Sequence, residues 1–399
     1  MTNAYLGAGM KSGIGDSVVL AILLALWPYN NPVEAPSAQA QQQASCVPMY
    51  QADSSWPKME GHWIFGSIGG IAVDPTNDHV WVLQRPRTLA DDEKYAAQTP
   101  PLADCCAPAP PVMEFDSAGN LIQGWGGPGS GYDWPASEHG ITIDYRGNVW
   151  VLGNGEGDNQ VLKFTRTGKF LLQIGHPGKS KGSNDIENFD KPTKAYVYPK
   201  TNEVLISDGY INRRVIVFDA DTGAFRRLWG AYGSRPDDTV PRTRVFDGPS
   251  PQQFNLVHAV VVSNDDLVYV ADRSNNRIQV FKPDGTYVKE AYVAREVRTP
   301  TGTVMDLAFS PDKRQQFLYV SGGDQHIRIL DRATLQILDS FGRLGHYPGQ
   351  FYHLHVMAID SKSNIYTGEN LGKRVQKFVF QGFSSTSDPR SSCGSETAQ

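Results

Sequence analysis

One phrase recurs six times along the chain, and that repetition limits the fold more than any other property. Each copy holds a short alternating apolar strand, a turn with Asp, Asn or Gly, and a second strand. The copies begin at Gly69 (GGIAVDPTNDHVWVL), His139 (HGITIDYRGNVWVLG), Lys194 (KAYVYPKTNEVLISD), His258 (HAVVVSNDDLVYVAD), Met305 (MDLAFSPDKRQQFLYVS) and His355 (HVMAIDSKSNIYTGE). Their spacing of roughly 40 to 70 residues suits one four-stranded sheet per copy. Third and fourth strands recur as well, in QVLKFTRTGKFLLQIG, RRVIVFDADTGAFRRLWG, NRIQVFKPDGTYVKEAYV and HIRILDRATLQILDSFG. Alternation of Val, Ile, Phe and Leu with period two fits sheets packed face to face. The predicted fold is all-β, a six-bladed β-propeller over residues 63–383. Its sixth copy supplies only three strands, so a segment near Trp63 to Phe65 is expected to complete that blade and hide the last sheet edge.

Composition agrees with many short strands. The 399 residues include 39 Gly and 26 Pro, while 40% hydrophobic and 11% aromatic residues suffice for a large core. A formal charge of -5 supplies no basic field for phosphates, which argues against nucleic acid as a partner. At the amino end, Lys11 precedes an apolar run over residues 18–27, and Ala38-Gln39-Ala40 offers the small residues of a cleavage site. Residues 1–40 therefore read as an export signal; the run is too short for a membrane span, which needs roughly 20 residues. A secreted or periplasmic monomer with no membrane anchor is expected, with residues 41–62 as linker and 384–399 as a disordered tail. Cys46 lies too far from the apolar run for a convincing lipidation motif. Four cysteines, Cys46, Cys105, Cys106 and Cys393, form an even set that an oxidising compartment would allow to pair. Their connectivity is not readable from the sequence: structural pairing with Cys46 or Cys393 is expected, and a bond between the neighbours Cys105 and Cys106, with a redox or ligand role, is the alternative.

Alignment of the copies on their first strand places Gly69, His139, Lys194, His258, Met305 and His355 at one equivalent position. First strands line a propeller's channel, so histidines in alternate blades would surround one point on the axis. His139, His258 and His355 are thus the predicted metal ligands, in an arrangement of three imidazoles with an open position that suits catalytic zinc. Copper or another divalent metal is also compatible with imidazole, and a copper reading would place Cys105 or Cys106 nearby. His353, two residues before His355, also points inward on alternation and could compete as a ligand. Loops joining second to third strands surround the same mouth. They place Arg85, the long insertion 86–111, Tyr210, Arg273 and Glu369 around the histidines, with the insertion a candidate lid. Arg85 and Arg273 could clamp a carboxylate, and Tyr210 could polarise or deprotonate a hydroxyl.

The phrases resemble those of NHL-type propellers. HGITIDYRGNVWV, SDGYINRRVIVF, VHAVVVS, ADRSNNRIQVF and HLHVMAID resemble segments of the peptidyl-α-hydroxyglycine α-amidating lyases. That resemblance implies zinc on His139, His258 and His355, with Arg85 and Tyr210 assisting cleavage of a carbinolamide to an amide and glyoxylate. It also implies a structural calcium deeper in the channel. Where the family has an Asp after its last zinc histidine, this chain has Val356, which makes calcium doubtful; backbone carbonyls such as those of Ile141 and Gly69 would bind it more weakly. The expected substrate is a small or peptide-derived molecule, cleaved by a lyase or by a related metal-dependent hydrolase, and a non-catalytic binding or scaffold propeller is the competing reading.

Overall fold

A computed structural model describes residues 46–59 and 61–385. The predicted export signal, Cys393 and residues 386–399 of the predicted tail lie outside them. Among the described residues, helix is confined to five short 3-10 turns, and no helix is long and apolar enough to cross a membrane.

Six antiparallel four-stranded sheets form the predicted six-bladed propeller. Blade one runs through Ser67–Val73, Val80–Arg85, Val112–Phe115 and Leu121–Trp125, and blade two through Glu138–Ile143, Val149–Gly153, Val161–Phe164 and Phe170–Ile174. The innermost strands of blades three to six are Pro192–Tyr198, Val257–Val262, Asp306–Phe309 and Leu354–Ile359. Second and third strands are almost wholly buried, whereas fourth strands alternate between exposed and half-buried residues, as in Leu121–Trp125. Each interface between neighbouring blades holds its own apolar cluster. Trp81 and Leu83 of blade one pack with Ile141 and Val151 of blade two, and Ile329 of blade five packs with Met357 and Ile365 of blade six. Val356 and Tyr366 of blade six meet Ile68 and Val82 of blade one, which closes the ring.

Closure differs from the sequence expectation. Cys46–Asp53, read as linker, is the outermost strand of blade six and pairs antiparallel with Arg374–Ser385. Trp63–Ile64 instead pairs in parallel with Ala107–Pro108, inside the insertion. The reason is length: eight residues can cover the edge of a 12-residue strand, and two cannot. The Tyr50 hydroxyl lies 2.7 Å from the Tyr319 hydroxyl of blade five, and its ring stacks on Phe341. Ser384 and Ser385, placed in the tail by sequence, end the paired strand.

Cys105 and Cys106 are joined to each other rather than to Cys46 or Cys393, and Cys46 is disulfide-bonded. Adjacent cysteines need no chain reversal to meet. The insertion that holds them is tethered, since Glu93 accepts from Lys373 at 2.5 Å and Leu89 is buried.

Candidate metal centre

In five of the six blades the innermost strand carries a β-bulge near its start. In blade two the ladder passes from Glu138–Gly153 to Gly140–Leu152 and leaves His139 unpaired; in blade four it skips His258, and in blade six His355. A bulged residue leaves the pleat, and its side chain can be aimed independently of the sheet faces. The same shift skips Gly69 in blade one and Thr193 in blade three. Thr193, not Lys194, is therefore the register partner of the histidines. The blade-three hairpin is one residue longer than that of blade four, so a gapless alignment slips by one.

All three histidines are buried, and their rings form a near-equilateral triangle. Centroid separations are 5.0 Å for His139–His258, 4.8 Å for His139–His355 and 5.1 Å for His258–His355. One ligating atom from each lies within 4.8 Å of the others. Each Nδ1 is committed to a backbone carbonyl of the next blade: His139 to Thr193 (3.1 Å), His258 to Met305 (2.7 Å) and His355 to Ile68 (3.2 Å). A carbonyl only accepts, so Nδ1 carries the proton and Nε2 presents its lone pair to the axis. Burial is the main force holding the rings neutral: it pushes His139 down to about 3, and His258 and His355 well below the usual imidazole range.

A metal fits this donor set. The His258 Nε2 is buried with no hydrogen-bond partner, a costly state for an acceptor unless a ligand meets it. Three neutral imidazoles with backbone-anchored Nδ1–H groups are how proteins orient metal-binding histidines. The three histidines could hold a zinc or copper ion, both of which accept imidazole. His353 stands outside the group; it is half-buried, its ring 6.3 Å from that of His355. No cysteine belongs to the group either.

Polar side chains gather at the same mouth. The Tyr210 hydroxyl lies 3.1 Å from His139 Nε2, and Arg273 Nη1 donates to Tyr210 Oη at 3.3 Å. Arg273 is held from behind by its Nε bond to the Thr301 carbonyl at 2.6 Å. Arg85 donates from Nε to the Glu138 carbonyl and from Nη2 to Asn154 at 3.2 Å, and burial draws its guanidinium below the usual value. Arg85, Tyr210 and Arg273 thus converge on the histidines. Glu369 does not: it is fully buried and accepts from Arg374, Gln376 and the Tyr352 backbone. Glu138, Asn154 and Thr193 escaped the sequence reading, because each acts through a neighbour that only folding supplies.

Fold and site together define a six-bladed β-propeller with an axial centre of three histidines. The chain carries an NHL repeat, since the NHL repeat model matches residues 254–281, the first three strands of blade four. It is similar to NHL repeat-containing protein 3 of Homo sapiens, 28% identical over 343 residues, covering 83% of this chain and 84% of that protein. It also resembles peptidyl-alpha-hydroxyglycine alpha-amidating lyase 2 of Drosophila melanogaster, 27% identical over 379 residues, with 87% and 81% covered. Similarity to the peptidylglycine alpha-amidating monooxygenase of Rattus norvegicus is 30% over 245 residues, 59% of this chain and 22% of that longer protein.

Proposed function

We propose that this chain is an exported, monomeric zinc-dependent lyase that cleaves an α-hydroxyglycine-like carbinolamide to an amide and glyoxylate. One observation carries the reading: three buried imidazoles converge around the axis with the Tyr210 hydroxyl 3.1 Å from the Nε2 of one of them, His139. The name of the Drosophila relative supports the reaction. Bound by His139, His258 and His355, zinc would supply Lewis acidity to an oxygen of the substrate. Among the described residues Arg85 donates only from Nε and Nη2, so its guanidinium has N–H groups left with which it would hold the substrate carboxylate. As the phenolate, Tyr210 would take the proton of the substrate hydroxyl and return it to the amide nitrogen as the carbon–nitrogen bond breaks and the aldehyde forms. No net oxidation occurs. Arg273, which donates to Tyr210 Oη, would stabilise the phenolate that this step requires.

The test combines metal analysis with turnover of an α-hydroxyglycine peptide. His258→Ala is expected to lose both bound metal and glyoxylate release. Tyr210→Phe should retain metal yet lose activity by about 10²–10⁴-fold. Metal-free parent protein, or full activity in His258→Ala, would refute the proposal.

A further inference from the structure

We infer that the Lys194 ammonium is a tethered cation that fills the channel beneath the three histidines in place of a second bound metal ion. The residues that follow the unpaired position in blades one, two, three, four and six, namely Gly70, Gly140, Lys194, Ala259 and Val356, form the next layer of the channel together with Asp306, the first residue of the innermost strand of blade five. Only two of the six are charged, and they meet. Lys194 Nζ of blade three lies 2.5 Å from Asp306 Oδ1 of blade five, with side chains 18% and 2% exposed. The carboxylate is fixed by backbone donors on its other sides, from Leu307 N at 2.8 Å to Oδ1 and from Met357 N of blade six at 3.1 Å to Oδ2. Blades three, five and six are thereby tied together across the axis.

The structural calcium implied by the family resemblance does not fit this layer. Calcium takes six to eight oxygen ligands. Here Asp306 is the sole carboxylate of the layer, and the Lys194 ammonium occupies both its Oδ1 and the space beside it, so an ion finds no free carboxylate oxygen; only with the ammonium removed would that oxygen, backbone carbonyls and waters be available to complete a calcium shell. The space left, bounded by His139, His258, Lys194 and Asp306, is about 10 Å³, room for one water at most. An unpaired buried carboxylate would be strongly destabilising, so Asp306 requires some cation, and the chain provides its own. One ion in the channel, at the histidines, is the consequence.

This inference stands apart from the proposed reaction and is tested without it. Thermal unfolding of the full, zinc-loaded protein is followed in calcium-free buffer and after addition of calcium, with calcium binding measured by titration calorimetry. The parent should show the same Tm in both and bind no calcium. Lys194→Ala should bind one calcium and gain a calcium-dependent rise in Tm, and Lys194→Ala with Asp306→Asn should lose that response. A calcium-dependent Tm in the parent would overturn the inference. So would Lys194→Ala that ignores calcium, or that stays unfolded with calcium while the double variant folds. Zinc content at the histidines, read in the same samples, reports separately on the centre above.

Discussion

His139 takes its orientation from a carbonyl, and that carbonyl needs a glycine beside it. The Thr193 oxygen that accepts from His139 Nδ1 lies where a side chain at Gly140 would project, so any Cβ there would collide with it. Gly140→Ala is therefore expected to displace the carbonyl and loosen the ring, lowering metal affinity about 10–100-fold, as loss of an orienting partner does. Competition with a chromogenic chelator measures this, and parental affinity in the variant would contradict it. Gly209, which immediately precedes Tyr210, has a similar role, since a Cβ there would strike the Val257 backbone. The three histidines were legible in the sequence because one residue type recurred at one register. Thr193, Glu138 and Asn154 were not. Their contributions are backbone carbonyls and an amide oxygen, and no residue type announces which neighbour its oxygen will meet.

Elements position the site through two repeated devices, the bulge and a buried ion pair. In blades three, four and six the last acidic residue of the second strand pairs with an arginine that begins the third: Asp208 with Arg214, Asp272 with Arg277, Glu369 with Arg374. The same acids accept a backbone N–H ahead of their own innermost strand, from Asp190, Asn255 and Tyr352. Each acid thus clamps the loop that carries Tyr210, Arg273 or Leu371 to the strand that carries the channel residues. Asp208 and Arg214 are both fully buried, and removing one partner leaves a charge with no compensation. Arg214→Met is expected to cost about 3–5 kcal/mol in urea unfolding; a loss under about 1 kcal/mol, typical of an exposed pair, would show that the clamp is dispensable. The motifs SDGYINRR, ADRSNNR and GENLGKR held this spacing in plain view. What could not be read was direction: Arg273 turns to the mouth, whereas Arg277, four residues on, turns into the blade.

At the scale of the whole molecule the ring is held by its ends. Cys46–Asp53 covers Arg374–Ser385, a strand that would otherwise present an unpaired edge. A chain begun at Ser54 should unfold at lower temperature and aggregate with increasing concentration, as light scattering would report; an unchanged Tm and a clean monomer would show that closure lies elsewhere. The amino-acid sequence by itself determined the all-β class, the number of blades and the three imidazoles, because each of these is a periodic property that a linear chain displays. Only the tertiary structure decided which segment completes blade six, that Cys105 bonds to Cys106, that Thr193 rather than Lys194 shares the histidine register, and that Lys194 reaches Asp306. All four depend on which distant groups come into contact, and contact is a matter of distance in space, fixed when six separate sheets pack around one axis.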